Sequence, residues 1–88
     1  MATIVLSTAW TQGSGSSFAC TTGPLGDVLK RFAADEPRYR HRIVGADGEP
    51  FRYYNVYLDG EAVPRRGRDA VLVGEDSTVH IVPPLAGG

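Results

Sequence analysis

Cysteine, lysine and net charge are all scarce in this sequence. The 88 residues contain a single cysteine, Cys20, and a single lysine, Lys30. A lone cysteine can form neither an internal disulfide nor a cysteine-based metal site, because both need partner ligands at set spacings. Nine basic and ten acidic residues leave a formal net charge of −1, too weak a field to hold a polyphosphate backbone. The composition therefore argues against disulfide-stabilised, iron–sulfur, zinc-ribbon and nucleic-acid-binding proteins.

Long apolar runs are missing as well. No run approaches the roughly 20 residues of a membrane span. The start of the sequence lacks a basic region followed by an apolar stretch, which a secretory signal would need. We therefore expect a cytoplasmic protein with no membrane partner. A chain of 88 residues has room for one domain with a thin core, which argues against a large self-sufficient enzyme.

The first half of the sequence predicts a hairpin and then a helix. Apolar and polar residues alternate over 3–10, and Phe18 and Cys20 share one side of a second segment, 17–21. We expect two strands joined by the polar run 11–16, with Cys20 as a small buried hydrophobe. A helix follows, because apolar residues recur at helical spacing in Leu25, Val28, Leu29, Phe32 and Ala33. The pattern after Pro37 also allows a short second helix over 38–44.

The second half predicts further strands around a tight turn. Residues 51–58 are aromatic and β-branched enough for a strand, and Asp59-Gly60 is a dipeptide favoured in two-residue hairpin turns. The short partner strand is expected at 61–63, and the last strand at 78–82. The economical arrangement of these elements is a mixed sheet with one main helix on one face and the first and last strands side by side at the centre. The predicted fold class is α+β.

The segment after the last strand begins with two prolines. Pro83 and Pro84 cannot donate to a ladder, so the strand should stop at Val82. The six residues that follow should project as an extended arm of about 20 Å. We therefore divide the chain into a domain, 1–82, and a tail, 83–88.

The last two residues of the sequence, Gly87 and Gly88, would allow a reaction at the end of the tail. They have no side chains, so a terminal carboxylate could approach a buried reaction centre where any Cβ would collide. That carboxylate is ionised at pH 7 and can attack the α-phosphate of ATP, after which sulfur can displace AMP to give a thiocarboxylate. ATP, magnesium and the catalytic side chains would then belong to a partner enzyme. A frayed, inert end is the alternative interpretation.

Three stretches carry a resemblance to a known family: Tyr53–Glu61, Gly74–Asp76 and Pro83–Gly88. Together they look like the MoaD/ThiS family of ubiquitin-like sulfur carriers, and within it most like the CysO-type carriers of actinobacteria. The resemblance covers essentially the whole chain. It implies a β-grasp, ubiquitin-like fold with a flexible C-terminal tail, and a carrier protein that has no catalytic residues of its own.

The resemblance also implies how the tail is used. Gly88 is the residue that an E1-like adenylyltransferase/sulfurtransferase, using ATP and Mg²⁺, adenylates and converts to a thiocarboxylate. Gly87, Ala86 and Leu85 lie in the active-site channel of that partner. A second partner, a sulfur-accepting biosynthetic enzyme, takes the sulfur for cysteine, a thiosugar or a similar product. No cofactor and no metal are expected to be bound by the chain itself.

Possible docking residues for these partners come from the aromatic strand, the basic loop and the last strand: Tyr53, Tyr57, Arg65, Arg66 and His80. Tyr53 and Tyr57 alternate with Tyr54 and Val56 along the predicted strand, so one of the two sets must face away from the helix. Exposed aromatic stripes favour protein interfaces. His80 alternates with two apolar neighbours and is expected on the outer face of the sheet.

The basic loop permits two interpretations. Arg65, Arg66 and Arg68 are expected either to form a solvated turn or to contact an acidic rim on a partner. His41 follows arginines in a polar stretch and is expected to be solvated. The two histidines do not have the spacing of metal ligands.

Other functions remain open at this point. Within the same family, the chain could be the small subunit of molybdopterin synthase. From another class, it could be a ubiquitin-like protein modifier joined through Gly88 to lysines of target proteins. It could also be an interaction module with an inert tail.

Overall fold

A mixed sheet forms the body of the protein. The computed structural model describes residues 1–11 and 17–83. Their strands are β1 (Ala2–Leu6), β2 (Ser17–Cys20), β3 (Gly23–Pro24), β4 (Asn55–Leu58), β5 (Glu61–Ala62), β6 (Leu72–Val73) and β7 (Thr78–Val82). The main sheet has the order β2-β1-β7-β4-β5, while β3 and β6 pair separately. In the main sheet β1 and β7 are parallel and the other pairs are antiparallel, which confirms that the first and last strands lie together at the centre.

The helices lie against one face of this sheet. They are α1 (Thr8–Thr11), α2 (Leu25–Asp35) and α3 (Arg40–Ile43). The predicted apolar stripe of α2 is buried in full: Leu25, Val28, Leu29, Phe32 and Ala33. A 3₁₀ turn over Pro37–Tyr39 leads into α3, so the short second helix is also confirmed. Within residues 1–11 and 17–83, no helix is long and apolar enough to cross a membrane.

Every second residue of the central strands points into the core. The buried set on this inner face comprises Ala2, Ile4, Leu6, Val56, Val79 and Ile81. Fully burying a Val, Leu or Ile side chain contributes roughly 1.5–3 kcal/mol, which makes the inner face a main source of stability. At the β2 edge, the rings of Phe18 and Phe32 meet edge to face with their centroids 5.3 Å apart. Cys20, two residues after Phe18 in β2, is buried, as expected.

The first strand is shorter than predicted. Alternation over 3–10 indicated a continuous strand, but β1 ends at Leu6 and α1 follows. The Ser7 carbonyl accepts the backbone N–H groups of Trp10 and Thr11 at 2.9 and 3.3 Å, which turns the chain. The Trp10 side chain is buried and meets the Tyr54 ring edge to face at 5.9 Å. Packing against a residue distant in sequence therefore overrode the local pattern. The rest of the predicted connection, residues 12–16, lies outside the described residues.

The strand predicted over 51–58 also starts late. Only Asn55–Leu58 forms β4, and the preceding residues form a bend. The turn that follows β4 is confirmed, since Asp59 and Gly60 have φ values of 51° and 88°, the positive values that a type I′ hairpin turn requires. Beyond β5, the Val63 N–H donates to the Val56 carbonyl at 2.9 Å.

Candidate functional site

The tail leaves the protein from the end of its central strand. β7 makes its last ladder pair between Val82 and Asn55 of β4, and Pro83, which follows, is half-buried. The tail residues that the sequence singles out, Leu85, Ala86, Gly87 and Gly88, lie outside the described residues. The part of the candidate site that the structure describes is therefore the end of the sheet at which β7 stops.

Two arginines are held by hydrogen bonds at this end. Arg65 Nη2 donates to Asn55 Oδ1 at 2.9 Å, directly beside the last ladder pair of β7. The two arginines also bond reciprocally: Arg52 Nη1 donates to the Arg65 carbonyl at 3.1 Å, and Arg65 Nη1 donates to the Arg52 carbonyl. These bonds join the bend before β4 to the loop after β5. Arg66, the next residue, is exposed.

A third arginine of the predicted basic loop is buried. Arg68 is only 1% exposed, so the expectation of a solvated turn is wrong at this position. Its Nη1 donates to the Tyr54 carbonyl at 3.3 Å, and its Nη2 donates to the Phe51 carbonyl. Its guanidinium also stacks over the Tyr54 ring, 5.0 Å from the centroid. The bend at residues 51–54 turns around this side chain, which gives the physical reason why β4 starts at Asn55.

Tyr54 connects this bend to the helices. Its Oη donates to the Ile43 carbonyl in α3 at 2.9 Å, and its ring contacts Trp10 of α1. Burial raises the pKa of Tyr54 and outweighs the opposing effect of the nearby Arg68 charge. The hydroxyl therefore stays a neutral donor well above the usual ionisation range of tyrosine. Sequence reasoning placed Tyr54 in a strand and gave it no further role, because its partners come from distant segments.

The outer face of the sheet carries a row of residues across four strands, of which Val5 is half-buried and the other three are exposed. The ladder registers align Val5, His80, Tyr57 and Ala62 on β1, β7, β4 and β5. His80 is exposed, as expected, and Tyr57 is 36% exposed. The structure thus determines which residues of β4 face away from the helices: Tyr57 faces outward, and Val56 is in the core. We call these four residues the outer row.

Tyr53 is not in the outer row. The strand alternation that would align it with Tyr57 does not reach it, because β4 begins two residues later. Instead its Oη donates to the Arg42 carbonyl in α3 at 3.1 Å, and its ring lies 5.3 Å from that of Phe51. The five predicted docking residues therefore lie in three places. Tyr57 and His80 are ladder partners on the outer face, and Arg65 and Arg66 lie at the end of the sheet where β7 stops. Tyr53 is hydrogen-bonded to α3.

The remaining polar candidates show no catalytic arrangement. Cys20 is buried, and desolvation raises the pKa of its thiol, which disfavours the nucleophilic thiolate. His41 is exposed, as expected. In the part of the chain that the structure describes, no three metal-ligating side chains cluster and no pocket is present.

Several solved structures are similar to this fold over nearly the whole chain. This chain is similar to CysO from Mycobacterium tuberculosis, an antigen, with a TM-score of 0.76 and 22% identity over 97% of this chain and 100% of that one. It is equally similar to a chain of the BexX/CysO complex from Amycolatopsis orientalis, with a TM-score of 0.75 and 22% identity over 100% of both. The protein has the β-grasp fold.

A third β-grasp structure widens the comparison. Small archaeal modifier protein 1 from Methanosarcina acetivorans matches with a TM-score of 0.78 and 16% identity over 99% of this chain and 95% of that one. No protein-family model and no curated protein sequence matches the chain, so the likeness is one of fold. The β-grasp fold and the likeness to CysO that the sequence predicted are both confirmed.

Proposed function

We propose that this protein is a sulfur carrier whose reactive group is the α-carboxyl of Gly88. The observation that carries the proposal is the origin of the tail: it continues the central strand of a β-grasp sheet, beyond the Asn55–Val82 pair. A compact body can then be recognised by a partner while the arm enters that partner's active site. The likeness to two CysO structures supports the same function.

The proposed chemistry uses two displacement steps. A carboxylate oxygen of Gly88 attacks the α-phosphorus of ATP, and pyrophosphate leaves with its bonding electron pair. Hydrosulfide then attacks the carbonyl carbon of this acyl adenylate, AMP leaves, and one proton is released to give the thiocarboxylate anion. No electron transfer is involved. Gly87 and Gly88 contribute by their small size, because a side chain would crowd the attacked carbon.

The catalytic groups belong to partner proteins under this proposal. An E1-like adenylating enzyme supplies the ATP site and Mg²⁺, which neutralises charge on the phosphates. Leu85 and Ala86 occupy its entrance channel together with the glycines. A second enzyme takes the sulfur from the thiocarboxylate for a small biosynthetic precursor.

Intact-mass spectrometry tests this function. The chain ending at Gly88 is incubated with ATP, Mg²⁺, sodium sulfide and E1-like enzymes from the same organism. Replacement of one oxygen by sulfur should raise the mass by about 16 Da, and only when ATP is present. A variant lacking Gly88 is the control and should show no rise. No ATP-dependent change with any of the enzymes would rule out the carrier function.

A second function, protein modification, is favoured by the likeness to small archaeal modifier protein 1. Here the acyl adenylate would react with a lysine amine of a target protein instead of sulfide. Lys30, the only lysine of the chain, forms an ion pair with Glu49 at 3.0 Å. The hydrogen bond in this pair raises the pKa of Lys30, and a chain with one lysine offers self-linkage a single site. We therefore expect conjugates to other proteins rather than self-linked chains.

Immunoblots of cells expressing a tagged chain distinguish the two functions. A ladder of higher-mass conjugates that disappears on deletion of Gly88 would support modification. A single band at the mass of the free chain, together with the ATP-dependent mass rise, would support the carrier alone.

A further inference from the structure

The two ends of the sheet carry opposite charges. The strand directions decide which charged residues lie at each end. Because β1 and β7 are parallel and β4 is antiparallel to them, the end of β4 lies beside the start of β7. The end at which β7 begins carries Asp59, Glu61, Glu75 and Asp76, and the end at which it stops carries Arg42, Arg52, Arg65 and Arg66. The ends are separated by the length of a five-residue strand, about 13 Å. The small formal net charge of −1 does not reveal this separation of charge between the two ends.

We call these four arginines the arginine cluster; Arg52 and Arg65 lie beside the last ladder pair of β7, and the Arg42 guanidinium lies over the Trp10 ring, 5.9 Å from its centroid. Arg65 is bonded to Asn55, the ladder partner of Val82, and Arg52 is bonded to Arg65. Arg66 adjoins Arg65. The Arg42 carbonyl accepts the hydroxyl of Tyr53, the residue after Arg52.

The charge of the cluster is not neutralised within the described chain. Ion pairs among residues 1–11 and 17–83 join Lys30 to Glu49, Arg31 to Asp35, Arg38 to Glu36, Arg68 to Asp69 and the Met1 ammonium to Glu75, and none involves the cluster. Arg52 and Arg65 donate to carbonyl and amide oxygens, which orient a guanidinium without cancelling its charge. The cluster is thus positioned in advance and still able to pair with carboxylates.

We propose that the arginine cluster docks against an acidic rim around the tail-binding channel of the activating enzyme; this inference rests on the proposed carrier function. A partner that takes in the tail must approach this end of the sheet, where Arg52, Arg65 and Arg66 are exposed and pair with no carboxylate among the described residues. A nucleic acid fits less well, because its extended backbone would also run past the acidic end. Complementary charge mainly increases the rate of encounter and fixes orientation, and added salt weakens it.

A charge reversal at Arg66 tests the proposal. Arg66 is exposed, and no hydrogen bond or ion pair described above involves it, so Arg66→Glu should fold normally. The matched control is Arg31→Glu, which makes the same charge change on the exposed face of α2 and replaces a surface ion pair with Asp35 by weak like-charge contacts with Asp27 and Asp35. The measurement is kcat/KM of thiocarboxylate formation at low and at high salt.

The two variants should separate clearly at low salt. Near 50 mM NaCl we expect Arg66→Glu to lower kcat/KM roughly fivefold to tenfold, and in about 0.5 M NaCl less than about twofold, because salt screens exposed charges beyond a few ångströms. Arg31→Glu should change kcat/KM less than about twofold at both salt concentrations. Equal effects of the two variants, or an Arg66→Glu effect that salt does not reduce, would overturn the proposal.

A binding experiment separates this inference from the carrier function. Nuclear magnetic resonance titration with an octaglutamate peptide should shift the backbone amides of Arg52, Arg65 and Arg66 and leave those of α2 unchanged. If the wild-type chain gives no thiocarboxylate while these shifts occur, the carrier function is ruled out, and the arginine cluster is still supported as a surface that binds acidic proteins. Absence of the shifts, or stronger binding of a double-stranded DNA of equal charge at the same amides, would contradict an acidic protein partner.

Discussion

The two faces of the main sheet have opposite roles, and a single strand shows the contrast. In β7, Val79 and Ile81 are fully buried against the helices, while His80 between them is exposed in the outer row. The inner face supplies the burial that stabilises the fold. The exposed residues of the outer face contribute little to stability and are accessible to partners. Buried and exposed residues therefore alternate along the strand, and substitutions at adjacent positions should separate stability from the proposed docking.

The largest effect on stability is expected inside the sheet. Ile81→Ala removes a fully buried side chain from the central strand and leaves a cavity, which should cost about 2–5 kcal/mol of unfolding free energy. Urea unfolding followed by circular dichroism measures this loss. The matched control is His80→Ala on the opposite face, for which the change should stay within about 0.5 kcal/mol. Similar losses in both variants would refute the division between the faces.

A smaller loss is expected at the end of the sheet from Arg68→Met. This change keeps apolar bulk but leaves the Phe51 and Tyr54 carbonyls without their donor, which should cost about 1–3 kcal/mol. Arg66→Met, two residues away on the surface, serves as the control and should be nearly neutral in the same urea experiment. If Arg68→Met is also neutral, the bend before β4 does not depend on the buried guanidinium.

Tyr54→Phe should have a milder effect with a distinct pH dependence. Loss of the hydrogen bond to the Ile43 carbonyl should cost about 1 kcal/mol near neutral pH. Because the folded state holds the pKa of Tyr54 above its unfolded value, the wild-type hydroxyl contributes fully below about pH 10 and less as pH rises further. Thermal unfolding from pH 8 to 11 should therefore show a steeper alkaline loss in the wild type than in Tyr54→Phe. Parallel profiles would contradict a buried neutral hydroxyl.

The smallest effect on stability is expected in the outer row. Tyr57→Ala should change the unfolding free energy by less than about 1 kcal/mol, the usual scale of a cross-strand pair. If the outer row docks the activating enzyme, kcat/KM of thiocarboxylate formation should fall roughly tenfold, as when an aromatic anchor is removed from an interface. Thr78→Ala, at the acidic end of β7, is the control and should leave kcat/KM nearly unchanged. An unchanged rate in Tyr57→Ala would remove the outer row from the docking surface.

Elements encoded by local pattern could be predicted from the sequence. The apolar stripe of α2, the Asp59-Gly60 turn and the central pairing of β1 with β7 are all confirmed. Two predictions failed where contacts between distant segments decide the structure. Trp10 forms a helical turn because it packs on Tyr54, and the strand predicted from residue 51 starts late because the buried Arg68 binds the bend before it.

The candidate site was predictable only in part, for the same reason. The tail is visible as a sequence motif, and its use at Gly88 stays a prediction. Arg65 and Arg66 of the arginine cluster could be predicted as part of a basic loop. The addition of Arg42 and Arg52 could not be predicted, because these residues come from separate segments that only the fold brings to the same end of the sheet. A formal net charge of −1 gives no sign of this separation.

Fragmentation of the sulfur-loaded chain in a mass spectrometer tests the central claim most directly. Oxidation of Met1 or Cys20 adds one oxygen, also about 16 Da, so the position of the added mass decides the chemistry. Our account predicts that the ATP-dependent increase lies only in C-terminal fragments that contain Gly88. An increase found on Met1 or Cys20, with unmodified C-terminal fragments, would contradict the assignment of this protein as a thiocarboxylate carrier.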